Sequence, residues 1–294
     1  MAEQKVELRK IRDLSENLND TFTFIRQNFK PLVTSFLGIA GIVMLANAIV
    51  GGIYQSQAGY VFRDIFSNQN DKRFHFSFFS PTYFALVFLG WINFIAMNVV
   101  IACYMKLYNS SQEQSPTIQE VWEEFKKYFF KVFLYTIPVN LITIVGFTFC
   151  LLLPGIYLAV VFAPFPITLI VENQTFGGAW NRCFSIIKDN FWSSLGIYIL
   201  VYLIYALSAG IISTVIAAIT SIVSFFTTKD ISATIDIAAS VLSIFSFLFY
   251  LIFYVSVCIH YFNLAERHDG TGMMQRLDTL GRSGNDFDNI QEHY

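Results

Sequence analysis

The sequence predicts an all-α fold, a polytopic transmembrane helical bundle with six spans. Composition is the first observation, because 55% of the 294 residues are apolar and 14% are charged, whereas soluble domains have about 25% charged residues. Patterning is the second observation, because the apolar residues gather in long runs. A helix needs roughly 17–25 apolar residues to cross a hydrocarbon core, and six runs are of that length or longer.

The six predicted spans follow one another along the chain. Proline is acceptable at Pro31 and Pro81, since the first turn of a helix has no partner for the missing N–H. Pro154 and Gly155 predict a tight reversal between spans three and four, because proline cannot continue a helix and glycine accepts a positive φ. The fifth run exceeds one crossing, and the sequence leaves open whether it is one long helix or a broken one. The predicted spans cover residues 31–54, 81–107, 129–153, 155–171, 191–226 and 231–262.

The positions of lysine and arginine predict the orientation of the bundle. Of the 19 basic residues, 15 fall in the N-terminal segment, in the connections between spans two and three and between spans four and five, and in the C-terminal tail. Because cytoplasmic loops carry an excess of basic residues, we expect both termini to be cytoplasmic. The first thirty residues are polar, so we expect span one to act as an uncleaved insertion signal.

A short pattern is repeated before spans one, three and five. An apolar residue, a cation, a polar residue, an Asn or Tyr and a Phe follow one another at 25–29, 125–129 and 187–191. Each copy ends an amphipathic stretch, and such stretches beside a span are expected to lie in the membrane interface. We therefore predict three cytoplasmic interfacial amphipathic helices. The alternative is that any cytoplasmic segment before a span tends to carry a cation and an aromatic residue.

The repeat divides residues 1–264, a single six-span membrane domain, into three units of an interfacial helix and a two-span hairpin. These units cover about 7–107, 117–171 and 176–264, and a polar, largely disordered cytoplasmic tail follows at 265–294. Basic and aromatic residues of the interfacial helices are expected to contact lipid headgroups. The residues predicted to make these lipid or interface contacts are Arg26, Phe29, Lys126, Phe129, Trp180, Arg182, Lys188, Phe191 and Trp192.

Prolines and asparagines mark the middle of several spans. Pro138, Pro164 and Pro166 each remove a backbone hydrogen bond, and broken helices often line transporter sites. With Asn140, they are the predicted cavity or kink residues. Proline kinks also occur in spans that bind no ligand. Asn47, Asn93 and Asn98 lie within spans as well, and their amides could line a cavity or, as we favour, make hydrogen bonds between helices.

Other functional classes lack sequence support. No Lys, Arg, Asp or Glu lies at the middle of a span, which argues against ion-coupled transport. We find no nucleophile elbow, P-loop or zinc-protease motif, and expect no enzyme, catalytic residue, metal or cofactor. Glu172 and His260 could form a carboxylate–histidine site, but polar residues reaching the interface are the favoured interpretation. The net charge of −2 gives no reason to expect nucleic acid.

One region of the chain resembles a known family. Residues 153–160, read as LPGIYLAV, precede Glu172, the run Ala179-Trp180-Asn181-Arg182 and the run Asn190-Phe191-Trp192. This stretch resembles the YciC-like six-span bacterial inner-membrane proteins, and is similar to the membrane domain of glycerophosphoryl diester phosphodiesterases. Asn181-Arg182-Cys183 departs from the Arg-Ser expected there, and no phosphodiesterase catalytic domain accompanies it. The resemblance implies a six-span protein of the bacterial inner membrane.

Two functions are expected from these observations. The first is a non-enzymatic lipid-interacting or membrane-organising protein, indicated by the three amphipathic stretches. The alternative is an uncoupled transporter or flippase of a lipidic or amphipathic molecule, indicated by the prolines of spans three and four. Membrane lipids are the expected partners. The sequence leaves open a protein partner or a second copy of the chain.

Overall fold

The computed structural model of the protein describes residues 5–66, 80–110, 115–149, 153–227, 231–271 and 274. Within these ranges the chain forms helices and no strands, which confirms the predicted all-α fold. We number the helices in chain order: α1 Leu14–Phe66, α2 Pro81–Ser110, α3 Ile118–Phe149, α4 Leu153–Phe162, α5 Phe165–Val171, α6 Phe176–Lys188, α7 Phe191–Thr227 and α8 Ile231–Asp269.

Six stretches of these helices are long and apolar enough to cross a membrane, so the chain is a multi-pass membrane protein. The fourth span consists of α4 and α5 together. The fifth apolar run is one continuous helix of 37 residues, α7. The six stretches are Leu14–Gln55, Pro81–Ser110, Ile118–Thr148, Leu153–Val171, Phe191–Ile216 and Ser246–Asp269.

The first two predicted interfacial helices are continuous with the spans that follow them. Helix α1 begins at Leu14 and runs through Pro31, which was expected to start a helix, and residues 7–13 are not helical. An interior proline costs a helix about 3 kcal/mol, but Phe24, Leu32 and Phe36 around it are fully buried and hold α1 in place. Helix α3 likewise includes both its amphipathic start and Pro138.

The third predicted interfacial helix is separate. Helix α6 begins after Thr175, whose hydroxyl accepts a hydrogen bond from the amide of Gly178 at 3.4 Å. It ends at Lys188, and a two-residue turn leads into α7. The same sequence pattern therefore forms one separate helix and two helices that extend out of the membrane.

The predicted reversal at Pro154 and Gly155 is instead the first turn of α4. Glycine is needed there for close packing, not for a positive φ. A Cβ atom at Gly155 would lie 2.8 Å from Cα of Phe147 and 2.5 Å from its ring. Helices α3 and α4 can approach this closely because position 155 has no side chain.

Helix α2 occupies the centre of the bundle. Its second half is buried almost completely, and it packs against α1, α3, α5 and α8. Helix α8 packs against α1 and α7. The apolar outer face of α7 is exposed, as expected for a surface that faces lipid.

The N-terminal segment and the end of α8 lie at the same end of the bundle. Val6 and Leu8 are buried, and α8 continues to Asp269. Residues 265–269, predicted as the start of a disordered tail, are therefore helical, and Ala265 is 6% exposed. Of the rest of the predicted tail, residues 272, 273 and 275–294 lie outside the described residues.

Candidate functional site: a cavity beside the broken fourth span

The fourth span is broken at Ala163 and Pro164, between α4 and α5. Proline nitrogens carry no hydrogen, so the carbonyls of Val160 and Phe162 have no amide donor four residues later. Helix α5 restarts after Pro164, whose carbonyl accepts a hydrogen bond from the amide of Thr168 at 3.0 Å. The fourth span is therefore irregular at Pro164, one of the predicted cavity or kink residues. Such a break is tolerated in a membrane where protein covers it or where it borders a cavity.

A cavity of about 390 Å³ lies beside this break. We call it the span cavity. Helices α2, α3, α4, α5, α7 and α8, together with Ala163, supply its walls. It is lined by Phe94, Asn98, Thr136, Val139, Asn140, Thr143, Ala159, Phe162, Ala163, Phe165, Pro166, Tyr202, Tyr205, Tyr250, Phe253 and Tyr254.

The span cavity is apolar, with a few neutral polar groups. Half of its 16 lining residues are aromatic and none is charged. The hydroxyls of Thr136 and Thr143 donate to carbonyls of their own helix, and Tyr250 donates to Oδ1 of Asn98 at 2.8 Å. Tyr254 differs from these residues. Its hydroxyl is buried and has no hydrogen-bond partner in the described part of the chain.

The predicted cavity or kink residues are only partly brought together. Asn140 and Pro166 line the span cavity, and Pro164 is at the break itself. Pro138 lies within α3 but outside the lining. Sequence reasoning missed Tyr254. The available signal was its spacing of four residues from Tyr250 on one face of α8, but the sequence does not say which face borders a cavity.

Three of the four mid-span asparagines take the two roles considered for them, whereas the side-chain oxygen of Asn93 is buried and has no hydrogen-bond partner in the described part of the chain. Asn47 donates to the carbonyl of Leu86 at 3.4 Å, which joins α1 to α2. Asn98 both accepts a hydrogen bond from α8 and lines the span cavity. Asn140 lines the cavity as well. One asparagine can therefore both bond to a neighbouring helix and line the cavity, as Asn98 does.

A second polar arrangement lies at the end of the bundle that holds the N-terminal segment. We call Glu172, Arg182, Tyr261 and Asp269 the end cluster. Nε of Arg182 lies 2.9 Å from Oε1 of Glu172, and its two Nη atoms donate to the Asp269 carboxylate. The Tyr261 hydroxyl donates to the same Glu172 oxygen at 2.7 Å. Arg182 thus joins α6 both to the end of α5 and to the end of α8.

The electrostatics of the end cluster favour a structural role. Partial burial lowers the pKa of Arg182, but its bonds to Asp269 and Glu172 outweigh this and hold the pKa above its ordinary value. A cavity of about 430 Å³ adjoins the cluster and is also lined by Arg9. Arg182, for which a headgroup contact was predicted, binds two protein carboxylates, and its side chain is 15% exposed.

Protein covers the face of α6 that was expected to meet lipid. Ala179 and Cys183 are fully buried, and the ring of Trp180 lies 4.4 Å from that of Phe162 in α4. Phe184 packs against the same Phe162 ring at 5.4 Å. Trp180, for which a lipid contact was predicted, is half-buried against the fourth span.

Other predicted interface residues remain accessible. Trp192 is 80% exposed and Phe29 is 60% exposed. Lys126 is exposed and pairs with Glu123 at 2.7 Å. Arg26 and Lys188 are also exposed. Two of the predicted interface residues are half-buried instead: Phe129 packs against Phe125, and Phe191 packs against Tyr157.

Glu172 and His260 make separate contacts. Nε2 of His260 lies 2.8 Å from the hydroxyl of Ser194, and Ser194 is fully buried. Glu172 belongs to the end cluster. Across the described ranges, no three His, Cys, Asp or Glu side chains are placed to share a metal ion.

The fold and the span cavity define a multi-pass α-helical membrane protein with a ligand-sized cavity between its spans. Comparison of the chain with protein-family models, curated proteins and solved structures finds no match.

Proposed function

We propose that this chain is a non-enzymatic, lipid-interacting protein of the bacterial inner membrane that holds one neutral apolar or amphipathic molecule in the span cavity. The cavity itself is the observation that supports the proposal. Its volume, about 390 Å³, lies within the range of ligand pockets, about 300–1,000 Å³.

The lining favours a neutral occupant. A charged group within the hydrocarbon region is costly unless a partner compensates it, and no lining residue carries a charge. Aromatic and aliphatic walls favour apolar surface, while the side-chain amide of Asn140 offers hydrogen bonds. A lipid chain or another largely apolar molecule fits this chemistry.

Photocrosslinking tests the proposal. The protein is reconstituted with an equal mixture of two phosphatidylcholines, one with a diazirine near the headgroup end of an acyl chain and one with a diazirine at mid-chain. Lipid surrounding the bundle is expected to label Trp192, which is 80% exposed, whereas Tyr254 is 2% exposed and should be labelled from within the cavity. Labelling of Trp192 without labelling of Tyr254 would contradict the proposal.

A cavity-filling variant provides the control. Ala159→Phe places a ring in the span cavity and should abolish labelling of Tyr254 while leaving that of Trp192 unchanged. Ile156→Phe lies one turn earlier on α4, outside the lining and at an exposed position. It should leave both labels unchanged. Equal labelling of Tyr254 in the two variants would place the lipid outside the cavity.

The break beside the cavity favours uncoupled transport as a second candidate function. Helix α5 has seven residues, and an interrupted span can move more easily than a regular helix. Pro164→Ala combined with Pro166→Ala restores two amide donors and should slow the flipping of a fluorescent phosphatidylcholine in vesicles. Flipping at the same rate in the variant and the unsubstituted protein, or no flipping in either, would count against transport.

The accessible interface residues support a contribution from headgroup contacts. Lys188 and Trp192 are exposed near the ends of their helices, where aromatic and basic side chains interact with the membrane surface. The resemblance to the YciC-like proteins and the cytoplasmic placement of both termini stay predictions.

A further inference from the structure

The cavity of about 430 Å³ beside the end cluster has polar walls, unlike the span cavity. We call it the end cavity. Of its nine lining residues, four are charged, three are polar and two are apolar. They come from the N-terminal segment, from α6 and α8, and from the residues that follow α5 and α8. Walls of this kind favour a polar or charged ligand.

The end cavity lies at the level where spans leave the hydrocarbon. Glu172 directly follows the span Leu153–Val171, and Asp269 is the last residue of the span Ser246–Asp269. Arg9 precedes the start of α1. Because polar headgroup regions flank the hydrocarbon core of a bilayer, the charged side chains of the end cavity lie at the level of lipid headgroups and not of acyl chains.

The charges of the lining are divided between the end cluster and the N-terminal segment. In the end cluster, the two carboxylates of Glu172 and Asp269 outnumber the one guanidinium of Arg182, which leaves a formal charge of −1. Arg9 supplies one positive charge from a separate segment. The lining is therefore neutral in sum, but it is positive at Arg9 and negative at the end cluster. A ligand with separated charges of both signs matches this division.

Arg9 is held in place without being neutralised by an ion pair. Its guanidinium donates to the hydroxyl of Thr271, and it makes no ion pair within the described ranges. The Thr271 hydroxyl donates in turn to Glu266 at 3.4 Å. The neighbouring Leu8 is 3% exposed, and the backbone of Arg12 is bonded to α8. The half-buried Arg9 side chain thus presents its other N–H groups from an anchored segment.

Glu172 offers an acceptor from the end cluster. Its Oε1 accepts from Arg182 at 2.9 Å and from Tyr261 at 2.7 Å. In the described part of the chain, Oε2 accepts only from the Gln174 amide, at 3.5 Å, and 20% of the Glu172 side chain is exposed. Since a carboxylate has about four acceptor positions, Oε2 can accept a further hydrogen bond. Asp269, by contrast, uses both oxygens to bind Arg182.

We infer that the end cavity binds a zwitterionic group made of a phosphate and an amine, with the phosphate on Arg9 and the ammonium group on Oε2 of Glu172. Guanidinium groups bind phosphate through paired N–H donors. The headgroup of phosphatidylethanolamine and free phosphoethanolamine share this chemistry, and the level of the end cavity favours the lipid. The inference goes beyond the proposed function, because it concerns a second site with polar walls.

A matched pair of lipids tests the inference. Phosphatidylethanolamine has the phosphate and the amine, whereas phosphatidylglycerol with the same acyl chains has the phosphate and a neutral glycerol. Binding of each to the delipidated full chain in mild detergent is measured by native mass spectrometry. The unsubstituted protein should bind phosphatidylethanolamine about tenfold more tightly, as expected for one hydrogen bond between charged groups. Binding of both lipids with equal affinity would overturn the inference.

Substitutions of the two binding residues should have different effects. Arg9→Gln removes the partner of the phosphate and should weaken the binding of both lipids about tenfold. Glu172→Gln keeps an oxygen that accepts hydrogen bonds but removes the charge, so it should weaken the binding of phosphatidylethanolamine alone. Lys10→Gln is the control, because Lys10 pairs with Glu16 at 3.3 Å and lies outside the lining; it should change neither affinity. Unchanged phosphatidylethanolamine binding in Arg9→Gln would overturn the inference, even if Glu172→Gln cannot be purified.

Free phosphoethanolamine distinguishes the two sources of the ligand. Its binding to the unsubstituted protein and not to Arg9→Gln, with neither lipid bound, would assign the end cavity to a soluble molecule of the same chemistry. If neither phosphatidylethanolamine nor phosphoethanolamine binds, the inference fails. Diazirine labelling of Tyr254 should be the same in Arg9→Gln and in the unsubstituted protein, so failure of this inference and failure of the proposed function can be told apart.

Discussion

The backbone amide of Arg12 donates to Oδ1 of Asn263 at 2.9 Å, and the Asn263 side-chain amide donates to the Arg12 carbonyl at 3.2 Å. These two bonds join the N-terminal segment to the last helix. The Arg12 side chain is 1% exposed, pairs with Asp20 at 2.6 Å and donates to the carbonyl of Leu8 at 2.8 Å. Arg267 also donates to the Arg12 carbonyl. Both the backbone and the side chain of the buried Arg12 are therefore hydrogen-bonded to other parts of the protein.

Asn263→Ala should destabilise the protein strongly. The substitution leaves the buried amide of Arg12 without an acceptor, and an unsatisfied buried group costs about 1–3 kcal/mol. We expect the free energy of unfolding in detergent to fall by that amount. Asn19→Ala, at an exposed position of α1, is the control and should change it by less than about 0.5 kcal/mol. Equal effects of the two substitutions would show that the pair of hydrogen bonds between Arg12 and Asn263 adds no stability.

Arg182→Lys should loosen α6. Lysine is a single point of charge and cannot bind Asp269 with two nitrogens while a third contacts Glu172. We expect the melting temperature in detergent to fall, with a loss of about 1–3 kcal/mol for the charged hydrogen bonds. Lys188→Gln removes an exposed charge from the same helix and should be nearly neutral. A melting temperature unaffected by Arg182→Lys would refute the structural role of the end cluster.

Gly155→Ala should strain the contact between α3 and α4. The added Cβ would lie 2.8 Å from Cα of Phe147, so backbone must move, and overpacking of this kind costs about 1–3 kcal/mol. Gly177→Ala offers a matched control on α6, because a Cβ there meets nothing within 4 Å. Thermal unfolding should show a loss for Gly155→Ala and no loss for Gly177→Ala. The opposite order would contradict the close packing at Gly155.

Cysteine labelling tests the predicted orientation. Burial raises the pKa of the native Cys183 thiol to about 12, so its failure to react would not identify the side on which it lies. Lys188→Cys, at an exposed position, is preferable in a cysteine-free background. Asn68 lies in the connection between predicted spans one and two, which the predicted orientation places outside. An impermeant maleimide added to intact cells should label Asn68→Cys and not Lys188→Cys, and detergent should make the latter reactive. Labelling of Lys188→Cys from outside would reverse the orientation.

The spans could be predicted because burial in a bilayer imposes a length and an apolar composition on each helix. Helix ends were less predictable. Pro31 is suited to a first turn, but buried neighbours in α1 compensate for the bond that it removes, and the helix starts 17 residues earlier, at Leu14. Local rules identify the residues that can begin a helix, whereas tertiary packing decides whether they do.

The covered face of α6 shows a second reason for error. The spacing of Ala179, Trp180, Cys183 and Phe184 correctly predicts an amphipathic helix, but an apolar face can be covered by lipid or by protein. Phe162 covers it in this protein, at 4.4 Å from the Trp180 ring. Periodicity within one segment contains no information about a partner from another segment, so the sequence could not distinguish these cases.

The part of the candidate site that could be predicted is the break in the fourth span, because proline restricts the backbone wherever it occurs. Pro164 and Pro166 cannot donate hydrogen bonds in any context, so the broken span could be predicted from them alone. Tyr254 required knowledge of which helices meet. Its hydroxyl is significant because no described group on the neighbouring helices reaches it, and that is a property of the assembled bundle.

The two hydrogen bonds between Arg12 and Asn263 can form only late in the synthesis of the chain. The two residues are 251 positions apart, and ribosomes add about 5–20 residues per second, so roughly 13–50 s separate their emergence. Throughout that interval the backbone of Arg12 has no Asn263 side chain to bind. A chain truncated before Asn263 therefore leaves the amide of Arg12 without the acceptor that it has in the complete bundle.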